Sequence, residues 1–183
     1  LNLRPELLDE EEVRAIARLF PEAKVLVGDN ASEKAVQLLG RDFDVLHFAC
    51  HGTVDLDDPM RSCLRLAPDK DNDGYLHAGE LFNLAIHAGL VTMSACETGL
   101  GKVTFGSEVL GLTRAFMFAG TPSVVASLWK VDDKATANLM VEFYANLKTQ
   151  NKATALRNAQ IKMIKDGKTP FQWAAFCLYG DYM

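Results

Sequence analysis

The feature that most constrains the fold is a set of short apolar runs with no regularly polar face. These runs are DVLHFAC (44–50), LVTMSAC (90–96) and PSVVASLW (122–129). Such runs are typical of strands that are covered on both faces, as in a parallel sheet between helices. Segments with helical spacing separate them, and parallel strands require such crossovers. We therefore predict an α/β fold, a three-layer α/β/α sandwich with a mostly parallel central sheet.

The remaining segments continue the alternation of strands and helices. Three more apolar runs are predicted to be strands, at 23–28, 62–67 and 173–180. Helices are predicted at 13–20, 32–40, 78–89, 107–120, 133–148 and 152–167. Ser107 is expected to begin the fourth of these helices and Gly120 to end it. The 183 residues suit one domain, and we expect that domain to be a C-terminal piece of a longer protein.

Composition argues against several classes of protein. Hydrophobic residues make up 49% of the chain, the net charge is −5, and the basic residues form no stripe that could follow phosphates. No apolar run approaches the roughly 20 residues that a membrane helix needs, and no signal peptide is recognisable. The four cysteines are widely spaced, which favours reduced thiols and a cytoplasmic protein. We expect neither nucleic acid nor a membrane as a direct partner.

Two reactive side chains follow predicted strands, His51 in HFACHG and Cys96 in SACETG. In α/β sheets, sites form outside the carboxyl ends of the strands, so the two side chains meet if their strands are neighbours. A cysteine attacks as the thiolate and needs an adjacent imidazole to activate it. The backbone amides of Gly52 and Cys96 could then form an oxyanion hole. A buried cysteine is otherwise an inert small hydrophobe, so the residues alone leave both interpretations open.

The other histidines and cysteines are less suitable candidates. His47 shares a strand face with His51, but it lies in mid-strand and is predicted to be a hydrogen-bonded core histidine. Cys50 and His51 point to opposite faces, which argues against a zinc pair. Cys63 and Cys177 lie within apolar strands and are predicted to be core residues.

Five motifs together resemble one known family: HFACHG, SACETG, SLWKVDD, ALRNAQ and WAAFCLYGD. They resemble the CHAT domain, a caspase-like cysteine peptidase domain related to separases and caspases. The resemblance implies a caspase-type fold and frequent fusion to tetratricopeptide repeats. It also implies that His51 is the catalytic histidine and Cys96 the nucleophile. Nothing in this chemistry requires a cofactor or a metal.

The motif SLWKVDD is the best indicator of specificity. Separases have a similar stretch with an acidic residue that receives a basic substrate side chain, and Asp133 matches that position. Trp129 would form another wall of the pocket. The alternative is that Asp132 or Asp133 caps the helix that follows. Both interpretations stay open, and one residue can serve both roles.

The stretch DKDNDGYLHAGE (69–80) fits a calcium-binding EF-hand loop. Asp69, Asp71, Asp73, Gly74 and Glu80 occupy the required positions. The segment before it is predicted to be a strand rather than the entering helix that such a loop needs. A solvated hairpin tip is therefore the preferred interpretation, with calcium as the alternative.

These patterns predict a cysteine endopeptidase that acts on a protein or peptide substrate. An N-terminal repeat region, tetratricopeptide-like, or an activating partner is expected to regulate it. The main alternative is a catalytically silent scaffold or regulatory domain, and a second is a calcium-responsive binding module.

Overall fold

The computed structural model describes residues 7–55, 57–94 and 109–183, the side chains of residues 7–9, 109 and 110 excepted. Its strands are β1 (Val45–Phe48), β2 (Gly52–Thr53), β3 (Cys63–Arg65), β4 (Tyr75–His77), β5 (Leu90–Met93), β6 (Ser123–Ser127) and β7 (Phe176–Gly180). Its helices are α1 (Leu7–Ala17), α2 (Glu33–Leu39), α3 (Ala78–Leu81), α4 (Val109–Phe118), α5 (Asp133–Leu147), α6 (Lys152–Lys165) and α7 (Pro170–Trp173). Two 3₁₀ turns lie at Gly28–Asn30 and Pro59–Arg61.

The main sheet has the strand order β1-β5-β6-β7. β1, β5 and β6 are parallel, and β7 is antiparallel to β6. The prediction of an α/β fold with a mostly parallel sheet is therefore confirmed. Strand β7 confirms the expected last strand, although it begins at Phe176 rather than at residue 173.

The apolar runs are buried on both sides because two core clusters lie against the main sheet. Val124 and Ala126 of β6 pack in one cluster with Phe116 of α4. Val125, between them, packs in the other cluster with Phe143 of α5. Since alternate residues of a strand point to opposite faces, the two clusters lie on opposite faces of β6. This arrangement explains why the strand sequences do not alternate in polarity.

A second, antiparallel sheet was not predicted. It has the order β2-β3-β4, so the predicted strand at 62–67 belongs here and not to the main sheet. The sheet is joined to the start of α2, because Ala67 N donates to Ala31 O at 3.0 Å and Gly74 N donates to Glu33 Oε1 at 2.7 Å. These contacts hold the second sheet, which follows β1 in the chain, against the start of α2.

One predicted strand was wrong, and one predicted helix was too long. Within the described ranges, residues 23–28 form no strand: the segment joins no ladder there, and its residues are exposed or half-buried. The helix expected at 78–89 ends at Leu81. Beyond it, Ile86 N donates to Ala119 O at 2.7 Å and His87 N to Gly40 O at 3.1 Å. Bonds to neighbouring elements replace the helical ladder there.

Helices α2, α4, α5 and α6 agree closely with the prediction, whereas α1 spans Leu7–Ala17 rather than 13–20 and α7 was missed. Ser32 caps α2 by accepting a hydrogen bond from Ala35 N. Ser107, expected to cap α4, lies outside the described residues, whereas Gly120 follows that helix with a φ of 115°. Over the described ranges, no helix is long and apolar enough to cross a membrane.

Candidate active site at the carboxyl edge of the main sheet

His51 lies three residues beyond the end of β1, at the carboxyl edge of the main sheet. It is half-buried, whereas Ala49 and Cys50 before it are buried. Its carbonyl oxygen accepts a hydrogen bond from Arg65 N at 2.8 Å, which anchors the backbone between the two sheets. The position therefore combines a fixed backbone with a partly accessible side chain.

The register of β1 against β5 relates His51 to the segment that carries Cys96. Each β5 residue lies 45 positions after its β1 partner, from Val45 with Leu90 to Phe48 with Met93. The ladder reaches the residue after β5, since Ser94 N donates to Phe48 O, the last residue of β1, at 3.0 Å. Cys96 is likewise 45 positions after His51, but it lies outside the described residues. The pairing of these two side chains therefore stays a prediction.

Gly52, the predicted oxyanion donor, lies on β2 opposite Leu64. The bond from Arg65 N to His51 O makes His51 and Arg65 a hydrogen-bonded pair of this antiparallel ladder. Pairs alternate in type, so Gly52 and Leu64 form a non-hydrogen-bonded pair. The Gly52 N–H consequently points away from β3, the orientation that an oxyanion donor on this strand needs.

His47 is a core histidine, as predicted from its position in mid-strand. Its side chain is 10% exposed, its Nε2 lies 3.0 Å from Glu12 Oε1, and its Nδ1 lies 3.2 Å from Tyr144 Oη. Tyr144 Oη in turn donates to Thr92 Oγ1 at 2.8 Å. Burial raises the pKa of Tyr144, which keeps its hydroxyl protonated. The sequence contained no local signal for Glu12 or Tyr144, because both come from distant helices.

Trp129 and Asp132 lie between β6 and α5. Asp132 caps α5, since its Oδ1 accepts from Ala135 N at 3.0 Å. Trp129 Nε1 donates to Phe171 O at 2.9 Å, and the two rings stack with centroids 5.9 Å apart. Phe171 is exposed, so this aromatic pair forms an apolar surface that sequence reasoning missed.

Asp133 lies in the first turn of α5 and is half-buried. It lines a cavity bordered mainly by α1, α5 and α6, with Glu11, Lys134 and Lys162 among the lining residues. Among the described residues that line this cavity, neither His51 nor Trp129 is present. The structure therefore assigns capping to Asp132, and substrate binding by Asp133 and Trp129 stays a prediction.

The carboxylates of the 69–80 loop stabilise turns. Asp69 Oδ1 accepts from Asp71 N at 2.9 Å, Asp73 Oδ1 accepts from Tyr75 N at 2.9 Å, and Glu80 Oε2 accepts from His77 N at 2.8 Å. The hydrogen bond from the Asp71 N–H is the main cause that lowers the pKa of Asp69. No group of three or more potential metal ligands converges within the described ranges. The geometry thus favours the hairpin tip.

The described cysteines are poor nucleophiles. Burial raises the pKa of Cys63 and of Cys177, which disfavours their thiolates. Cys50 is buried in the apolar core. Of the described thiols, none has the exposed, electropositive setting that activates a cysteine.

The comparison with known proteins agrees with the motifs. The model of the CHAT domain family matches residues 5–181. The tetratricopeptide repeat protein 28 of mouse and that of human are each 33% identical over 109 residues, 58% of this chain. The matched part is 4% of each relative, so the chain corresponds to a small part of those proteins. With nearly its whole length matched, the chain belongs to the CHAT domain family.

Proposed function

We propose that this chain is a cysteine endopeptidase domain with Cys96 as the nucleophile and His51 as the acid–base. The observation that carries the proposal is the parallel register of β1 and β5, whose offset of 45 positions equals the separation of the two residues. Neighbouring strands lie about 4.8 Å apart, within reach of an imidazole and a thiol on the same face. Residue 51 lies four positions after His47, and residue 96 lies four after Thr92, so both pairs keep the same parity.

The chemistry follows from these positions. The Cys96 thiolate attacks the substrate carbonyl carbon, and the negative charge moves to the carbonyl oxygen. The amides of Gly52 and Cys96 stabilise that oxyanion. His51 protonates the leaving amine, and the acyl-enzyme forms. His51 then removes a proton from water, which hydrolyses the thioester and regenerates the thiol.

The proposal extends to the architecture and regulation. The core clusters on opposite faces of β6 support a three-layer, caspase-like sandwich. Residues 1–183 would form a single domain. The matched relatives are named tetratricopeptide repeat proteins, which supports a repeat region as regulator. Cys63 and Cys177, thiols and not disulfides, suit a reducing cytoplasm.

For specificity we retain Asp133 and Trp129 as proposed substrate-binding residues. Trp129 follows the carboxyl end of β6, and Asp133 lies four residues further along the chain. A carboxylate that meets an arginine makes a paired, charge-assisted contact, so cleavage after Arg or Lys is expected. In a peptide library, Asp133→Asn should reduce this preference about tenfold or more. An apolar preference that the substitution leaves unchanged would remove Asp133 from the pocket.

The test of the function itself is cleavage of the same library by the parent and by Cys96→Ala. We expect cleavage by the parent, none by Cys96→Ala, and parental cleavage by the matched control Cys177→Ala. Equal cleavage by the parent and Cys96→Ala would contradict the mechanism. If the parent neither cleaves the library nor reacts with a peptidyl chloromethyl ketone, the regulatory scaffold becomes the better account.

A further inference from the structure

The second sheet has one buried face and one open face. Leu64 of β3 and Leu76 of β4 lie opposite each other and are fully buried in the core. Their neighbours Arg65 and Tyr75, which also lie opposite each other, are exposed. Because successive residues of a strand point to opposite faces, the odd-numbered side chains of β3 and β4 belong to the open face. Cys63 is the buried exception on that face.

His51 extends the open face towards the main sheet. It lies directly opposite Arg65, since Arg65 N donates to His51 O at 2.8 Å and the next pair of the ladder is Gly52 with Leu64. Opposite residues of two antiparallel strands project to the same face, with Cβ atoms about 4.5–5.5 Å apart. The side chain of His51 and that of Arg65 are therefore neighbours at the corner between the two sheets.

Tyr75 holds the Arg65 side chain from the other side. Leu66 N donates to Gly74 O at 2.6 Å, so Arg65 and Tyr75 form the adjacent, non-hydrogen-bonded pair, in which side chains lie closer together. The Arg65 guanidinium carbon lies 6.0 Å from the centre of the Tyr75 ring. A guanidinium over an aromatic face keeps the N–H groups at its edge available for a ligand.

The charge of Arg65 is not used within the described part of the chain. The nearby Arg61 lies 3.9 Å from a carboxylate oxygen of Asp55, whereas Arg65 forms no ion pair with any described residue. An exposed arginine is usually only solvated. What distinguishes Arg65 is its place directly opposite the proposed acid–base, with an aromatic ring that limits its movement.

The position of Arg65 determines which part of a peptide it meets. The proposed acid–base His51 protonates the leaving amine, so the residues after the cleaved bond pass beside His51. Arg65 lies on the sheet that begins next to His51. Trp129 follows β6, which is separated from β1 by β5. The two parts of a substrate therefore meet different elements: the part before the bond lies towards β6, and the part after it lies towards the second sheet.

We propose that Arg65, positioned by Tyr75, binds an acidic side chain in the first two residues after the cleaved bond. The inference rests on the proposed function and adds a determinant of specificity on the leaving side. The planar guanidinium makes a paired, charge-assisted contact with an Asp or Glu carboxylate. Since Arg65 is exposed, salt screens the contact and its contribution is moderate.

A peptide library that varies these two positions among Asp, Glu, Asn, Gln and Lys tests the proposal, with the cleaved bond identified by mass spectrometry. We expect the parent to cleave acidic peptides about fivefold faster than their amide counterparts, a ratio that falls as salt is raised. Arg65→Glu should reverse the preference in favour of Lys, and Tyr75→Leu should weaken it. The matched control is Arg157→Glu, which makes the same charge change on the exposed side of α6 and should keep the parental ratio.

A second variant keeps the test valid if Arg65→Glu does not fold. Arg65→Gln removes the charge without introducing another and should bring the ratio of acidic to amide peptides close to one. Thermal unfolding of each variant checks that the fold is intact. Cleavage by the parent without an acidic preference, or with one that Arg65→Gln leaves unchanged, would overturn the inference and leave the proposed function standing.

Peptide binding to Cys96→Ala, measured by fluorescence anisotropy, separates the inference from the proposed function, because it requires no turnover. If the parent cleaves none of the peptides, tighter binding of the acidic peptides that is lost when Arg65→Gln is added would still support the contact. Equal binding of acidic and amide peptides in that case would overturn it.

Discussion

The interior of β1 and its carboxyl end each carry a histidine, and the two differ in environment. His47 is surrounded by Glu12 and Tyr144 and is almost buried. His51, four residues later, is half-buried and lies where the chain passes from one sheet to the other. Strand periodicity predicts that both lie on one face. Helices α1 and α5 cover His47, whereas His51 lies beyond the end of β1. The position of a histidine relative to the strand end therefore decides whether it stabilises the fold or is accessible for chemistry.

The largest expected effect is on activity, at His51. We predict that His51→Ala lowers the rate of peptide cleavage by about a thousandfold or more, since it removes the proposed acid–base. The free energy of unfolding should change by less than about 1 kcal/mol, because the side chain is only half-buried. Cleavage kinetics and urea unfolding measure the two quantities. If His51→Ala lowered the free energy of unfolding but kept the parental cleavage rate per folded molecule, the roles assigned to His51 and His47 would be reversed.

The opposite result is expected for His47. We predict that His47→Ala lowers the free energy of unfolding by about 3–5 kcal/mol, because it leaves the buried Glu12 carboxylate without its imidazole partner. The exposed His87 supplies the control, His87→Ala, which should be nearly neutral. Urea denaturation measures all three proteins. Equal stability of the two alanine variants would show that the contacts of His47 contribute nothing to the fold.

A smaller effect separates the two adjacent aspartates. Asp132→Ala should cost about 1 kcal/mol of stability, because it removes the cap of α5. Asp133→Asn should cost much less, as Asp133 is not the N-cap of that helix. Thermal unfolding of both variants measures the two losses of stability. A greater loss in Asp133→Asn would transfer the structural role to that residue.

The smallest effect is a pH dependence at Glu33. Burial is the main cause that raises the pKa of Glu33 above 4.5, against the hydrogen bond from Gly74 N. A raised carboxyl pKa means that the folded state binds the proton more tightly, so this contribution is present below pH 4.5 and is lost as pH rises through the folded pKa. Glu33→Gln keeps an acceptor for Gly74 and does not titrate. The stability of the parent relative to Glu33→Gln should therefore fall across that window, and parallel pH curves would contradict this.

The main-sheet strands could be predicted from the sequence because strands that are buried on both faces have continuous apolar runs. It also placed His47 in the core and His51 after a strand end, from strand period alone. The strand at 23–28 was wrong for a physical reason: local propensity cannot show whether a strand has a neighbour to pair with. The same limit hid the second sheet, whose short strands β2 and β4 depend on the turns between them.

The side-chain contacts of the candidate site residues were less predictable than the places of these residues along the strands and helices. Asp132 and Asp133 are equivalent as cap candidates in the sequence, and only the first-turn geometry of α5 distinguishes them. The stacking of Trp129 on Phe171 joins residues 42 positions apart. The EF-hand pattern did not show that oxygens of Asp69 and Glu80 accept backbone hydrogen bonds, and calcium binding stays an alternative prediction.

The central claim is that the carboxyl ends of β1 and β5 bring His51 beside Cys96. Alkylation by iodoacetamide, followed at each cysteine by mass spectrometry between about pH 5 and 9, tests it directly. In the parent, Cys96 should react at pH 6 at least about tenfold faster than Cys63 or Cys177, and His51→Ala should remove that advantage while His87→Ala preserves it. Equal reaction rates of Cys96 in the parent and in His51→Ala across the whole range would contradict the account.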